Sequence, residues 1–93
     1  MDAGRTPNEV LKVAATSKPV SVAGAIAGVI RSQSRVEIHA IGAGALNQAI
    51  KAIAISRGYL APAGLEVVCT PSFIDLSLGG QERTGIRLLV EVR

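Results

Sequence analysis

The side chains able to do chemistry are few in this sequence, and their spacing rules out most reactions. There is one histidine, His39, and one cysteine, Cys69. A single His excludes a multi-histidine metal cage within one chain. A single Cys excludes an internal disulfide, a cysteine-based zinc site and a Cys-x-x-Cys redox pair. A Ser–His–Asp relay fails too, because His39 lies inside the short strand-like run 36–41. Cys69 stands in an apolar run with nothing nearby to lower its pKa, and reads as a small buried hydrophobe. Asp75 and Glu82 flank a hairpin signal without a pocket between them, so neighbouring arginines are their expected partners. No catalytic constellation assembles. The expectation is a protein that is not an enzyme and needs neither cofactor nor metal.

What remains is binding chemistry. Gly42-Ala43-Gly44-Ala45-Leu46-Asn47 joins a strand to a helix. Such a turn suits an anion at the helix N-terminus. The third glycine of a dinucleotide fingerprint is missing, and Glu66, at about the right distance of 20 residues, begins a strand. Gly42 and Gly44 therefore read first as a tight turn and second as an anion-binding turn. Lys18 stands in the first strand–helix loop beside Ser17 and Thr16, a cation with two hydroxyls, which suits phosphate. Arg83 and Arg87 alternate along the last strand as a basic stripe. The net charge is +3, from 10 Lys and Arg against 7 Asp and Glu. The isoelectric point near 9.6 is a mild bias, compatible with a polyanion. Two aromatics, Tyr59 and Phe73, are too few for a base-stacking platform.

The elements that must position these residues follow from length and periodicity. A chain of 93 residues, 48% hydrophobic and 18% charged, is one folded domain. At this size roughly 60–65% of the unfolded surface is buried, so oligomerisation is the expected support. No apolar run approaches the ~18 residues of a membrane helix. Residues 1–8 are polar, lack the apolar stretch of a signal peptide and read as a loose tail. The expected compartment is the cytoplasm.

Residues 10–15 read as a strand and 19–32 as a helix, with Pro19 in the first turn and Ser17 or Ser21 as cap. Val22, Ile26, Val29 and Ile30 form its apolar face. Gly24 and Gly28 each cost about 1 kcal/mol against Ala in a helix. They predict something packed close: the sheet, another helix or a second subunit. Residues 36–41 read as a strand and 45–57 as a helix ended by Gly58. Its apolar stripe is Leu46, Ala49, Ile50, Ile53 and Ala54; Asn47, Gln48 and Lys51 are polar. Residues 65–78 form a strand, with Pro71 marking a bend or an edge. Gly79-Gly80 is a hairpin turn. In the last strand Thr84, Ile86, Leu88, Val90 and Val92 share one face. The β-α-β-α-β-β order predicts an α+β domain over residues 9–93, with two helices on one face of a four-stranded mixed sheet.

Val10-Leu11-Lys12-Val13, Ser21-Val22-Ala23-Gly24-Ala25-Ile26-Ala27-Gly28-Val29-Ile30-Arg31 and Ala40-Ile41-Gly42-Ala43-Gly44-Ala45-Leu46-Asn47-Gln48-Ala49-Ile50-Lys51-Ala52 closely resemble the stage V sporulation protein S family. So does Glu82-Arg83-Thr84 with the strand that follows. The resemblance spans roughly residues 9–93 and implies a small bacterial protein linked to sporulation or to broader regulation. That family is in turn similar to the Alba group of chromatin and RNA-binding proteins, which implies a two-layer Alba-like fold. Ser17-Lys18-Pro19-Val20 resembles the Alba loop that touches nucleic acid. Lys18 matches its second basic position, and Ser17 replaces the first. Gly44 and Gln48 stand where Alba proteins have cations. The Gly79-Gly80 hairpin is short, where Alba arms are long and basic.

The resemblance implies backbone binding of DNA or RNA with little sequence choice. Lys18 holds phosphate, Arg83 and Arg87 extend the track, and Asn47 and Gln48 add neutral hydrogen bonds. Lys18, Arg83 and Arg87 make about three phosphate contacts per subunit and about six per dimer, so binding needs a homodimer or tetramer. The rival expectation is a regulatory protein–protein interaction module, favoured by the missing cations. A third is an anion or nucleotide sensor at the Gly42–Gly44 turn.

Overall fold

Alternation in the last strand organises the fold. The computed structural model describes residues 9–93; the expected tail, residues 1–8, lies outside the described residues. The elements are β1 (Val10–Val13), α1 (Pro19–Gln33), β2 (Arg35–Ala40), α2 (Ala43–Leu60), a 3-10 turn (Ala61–Ala63), β3 (Val67–Leu78) and β4 (Gln81–Val92). The sheet order is β1-β2-β4-β3. β1 runs parallel to β2, and both pairs made by β4 are antiparallel. The strand with the cleanest alternation thus sits inside the sheet. Leu88 and Val90 lie opposite Ile38 and Val36, all fully buried or nearly so. Pro71, which cannot donate a ladder bond, falls on the edge strand β3 as expected.

Both helices cover one face. The core joins Ile26, Ile30 and Ala27 of α1, Ala49, Ala52 and Ile53 of α2, and the inward strand residues. Each fully buried Ile contributes roughly 1.5–3 kcal/mol by leaving water. The buried stripes are narrower in side-chain size than the periodicity predicts. α1 buries Ala23 and Ala27 beside Ile26 and Ile30, leaving Val22 and Val29 half-buried. α2 buries Ala45, Ala49, Ala52, Ile53, Ser56 and Leu60, while Ile50 and Ala54 are exposed. The two helices pack on each other as well as on the sheet, and alanines let their backbones approach. Gly24 and Gly28 are exposed, and a Cβ on either meets nothing within 4 Å. Neither the sheet nor α2 is the close neighbour that they predict.

Two helix ends correct the sequence reading. Gly58 does not end α2, which continues through it to Leu60. The stop is Gly64, in the left-handed region at φ 71°. Its N–H donates to the Ala61 carbonyl at 2.9 Å, and the Leu65 N–H reaches the Leu60 carbonyl at 3.2 Å. That pair of bonds is a Schellman motif, and Leu60, fully buried, rewards the extra turn. At the start of α1, neither Ser17 nor Ser21 caps. Lys18 is the N-cap and makes no side-chain cap bond. The Ser17 hydroxyl instead accepts from the Ala14 N–H at 2.9 Å, closing the loop on itself.

The hairpin is also longer than its turn implies. Gly79 and Gly80 both have positive φ, as a two-residue primed turn requires. β3 and β4 are 12 residues each, yet only residues 86–91 of β4 pair with β2. Residues 74–85 therefore project past the end of β2 as an arm. The arm crosses Ala40 so closely that a Cβ on Gly85 would stand 2.9 Å from the Ala40 carbonyl oxygen.

Candidate nucleic-acid interface

Parallel pairing decides where the candidate residues meet. β1 and β2 end on the same side, so the loops that leave them lie together and both helices start there. Two contacts fasten the loops. Gln48 Nε2 donates to the Ser17 carbonyl at 2.9 Å. Gly44 sits so close that a Cβ would lie 3.0 Å from the Ala15 Cβ. Gly42, the N-cap of α2, holds φ 90° and ψ 159°, a conformation open to glycine. Ser17, Lys18, Gly42, Gly44 and Gln48 thus form one cluster, with Asn47 exposed on the next turn of α2.

Neither helix has a side-chain cap or an acidic residue in its first turn. The free N–H groups and the positive ends of both dipoles are therefore left to other partners. Lys18, the N-cap of α1, is exposed and makes no ion pair among the described residues. Gln48 is half-buried, and its amide holds the neighbouring loop, so it positions Lys18 rather than standing ready as a donor.

Arg83 is on the arm, beyond this same end of the sheet, and is exposed. It pairs in register with Leu76, while Asp75, opposite Thr84, and Glu82, opposite Ser77, alternate onto the other face. The expected partnership of these acids with the neighbouring arginine does not form; Asp75 accepts a long hydrogen bond from Thr84, 3.4 Å. Arg87 belongs elsewhere. It lies in the body of β4 opposite His39, and its Nε donates to Glu37 Oε1 at 2.8 Å. Its charge is met within the fold.

Sequence reasoning missed the knot around Glu37. The second carboxylate oxygen of Glu37 takes His39 Nε2 at 2.6 Å, and both side chains are largely shielded. Glu37 and His39 alternate on β2, and that was the available signal. Their meeting with Arg87 depends on the β2–β4 register. Lys12, exposed on β1, is the register neighbour of His39. Partial burial pushes the Cys69 thiol up from its ordinary value, so it is not poised as a nucleophile.

Among the described residues, no three His, Cys, Asp or Glu are grouped to hold a metal. No described helix is long and apolar enough to cross a membrane. Residues 9–93 match the family model of Stage V sporulation protein S, and the chain belongs to that sporulation-linked family.

Proposed function

We propose that this member of the Stage V sporulation protein S family binds nucleic acid through the phosphate backbone, with little sequence choice, as a homo-oligomer. The observation that carries the reading is the pair of helix starts tied together by Gln48, both free of acidic side chains in the first turn, with exposed Lys18 at the N-cap of α1. Backbone N–H groups at a helix start take phosphate oxygens, and Lys18 supplies the charge. Asn47 adds a neutral donor. Arg83 on the arm extends the same end of the molecule.

Arg87 contributes little, because Glu37 holds it. The contacts then fall to Lys18 and Arg83 in each copy. At a log–log salt slope of about −0.9 per contact, a dimer gives about −3.6 and a monomer about half that. An oligomer is what makes the surface useful. Affinity for a dimer should fall about 150-fold between ~50 and ~200 mM salt. Fluorescence anisotropy with duplex DNA, single-stranded DNA and structured RNA tests this, with light scattering to fix the mass. No binding at low salt, or a monomer at every concentration, overturns the reading.

A second reading is a regulatory interaction module for a protein partner. Phe73 favours it: the residue is 80% exposed at the base of the arm, opposite Ile86, and Val20 and Leu78 are exposed as well. Binding through such apolar surface is insensitive to salt in the range where phosphate contacts fail.

A further inference from the structure

The arm builds a second site, separate from the helix starts. β1 and β3 lie on opposite edges of the sheet, yet the arm crosses at Gly85 and brings Leu76 and Leu78 over the end of β1. A groove of about 360 Å³ opens there. That volume is at the small end of the range for ligand sites, ~300–1,000 Å³. Ala15, Ile41, Leu76 and Leu78 make apolar walls, and Lys12, His39 and Ser77 bring polar groups.

Lys12 and His39 differ in freedom. His39 is held by Glu37 at 2.6 Å, and Glu37 is in turn met by Arg87 at 2.8 Å. The Glu37 carboxylate behind His39 is thus already paired, and no Asp or Glu is among the described residues that line the groove. Lys12 makes no hydrogen bond or ion pair through its side chain among the described residues. One unpaired ammonium at the edge of an aliphatic groove is complementary to a single negative charge on an apolar body. A nucleotide fits badly, since no Phe, Tyr or Trp lines the groove to stack a base, the His39 ring is held by Glu37, and one cation is poor company for several phosphate charges. The geometry points to a binding site for a small apolar carboxylate of the fatty-acid type, its carboxylate on Lys12 Nζ and its chain between Ile41, Leu76 and Leu78.

Octanoate is the probe, titrated into the full chain and followed by amide NMR. Saturable shifts are expected at Lys12, Ala15, His39, Leu76 and Leu78, while acetate leaves them in place. Lys12→Met keeps the aliphatic stem and removes the charge, and should weaken octanoate about tenfold. Octanol should lose a similar factor against the unsubstituted protein. Scattered or non-saturating shifts overturn the proposal, as does equal affinity in Lys12→Met. If the same amides move on dilution without octanoate, a second copy occupies the groove and the proposal falls. Leu78→Glu, at an exposed position that the fold tolerates, should abolish the saturable shifts; their persistence overturns the assignment of the wall.

Discussion

The helix-free face of the sheet carries more charged side chains than the end where both helices start, yet most of them are paired with one another. On the face, Arg35 meets Glu91 at 3.1 Å and Arg87 meets Glu37 at 2.8 Å. Opposite charges sit across adjacent strands, directly in one case and diagonally in the other, and cancel. At the helix starts no carboxylate stands in either first turn, and Lys18 has no ionic partner among the described residues. A tally of cations by strand face therefore overstates what the face can offer. What matters for a polyanion is the charge left over after strand register has paired the rest.

The arm joins these regions, and the largest expected effect is at its crossing. Valine suits a strand better than glycine does, so propensity alone favours Gly85→Val. The crowding against the Ala40 carbonyl and against Ile41 Cγ1, at 2.9 and 3.0 Å, opposes it. We expect a loss of about 2–3 kcal/mol, seen as a lower urea midpoint. An unchanged midpoint would mean that the arm does not lie against the body of the sheet. Next in size is Lys18→Glu. It should leave the urea midpoint in place, weaken nucleic-acid binding at least about tenfold at low salt, and flatten the salt slope by about 0.9 per subunit. Equal binding at low salt would remove Lys18 from the interface and erase the contrast between the two regions.

Much of the fold was legible because its signals are local. Alternation from Thr84 to Val92, the paired glycines at 79 and 80, and Pro71 each constrain their own backbone, and all three readings agree with the structure. The helix ends were harder. Gly58 has the chemistry of a stop, but burial of Leu60 and the bonds around Gly64 carry the helix past it. Ser17 has the chemistry of a cap, but its hydroxyl is taken by Ala14. The candidate site was half legible for the same reason. Lys18 and the Gly42–Gly44 turn follow consecutive parallel strands, so order alone brings them together. The pairing of Arg87 depends on which residue of β2 it faces. The groove depends on an arm whose reach is set by β2 being 6 residues long and β4 12. No short stretch of sequence records either.

Releasing Arg87 tests whether the paired face can be converted into an available one. In Glu37→Gln the arginine keeps its place and loses its counter-charge. The exchange should cost about 1–2 kcal/mol, because Arg87 and His39 both lose a charged acceptor. Binding at low salt should rise several-fold, with the slope steeper by about 0.9 per subunit. A slope that stays the same would confine the phosphate track to the helix starts and the arm, and so sharpen the difference between the regions.

The smallest effect separates holding a contact from making one. Gln48 is half-buried and spends its amide on the Ser17 carbonyl at 2.9 Å, tying the loop that carries Lys18 to the start of α2. Gln48→Ala removes no charge. It should cost about 0.5–1 kcal/mol of stability, the net worth of one neutral hydrogen bond. Looser placement of Lys18 against the α2 start should raise the dissociation constant about two- to threefold while the salt slope stays unchanged, since the number of neutralised phosphates is the same. A slope that fell with Gln48→Ala would instead mean that Lys18 loses its phosphate once the loop is untied, so that the bond to Ser17 is needed for the contact itself and not only for its strength.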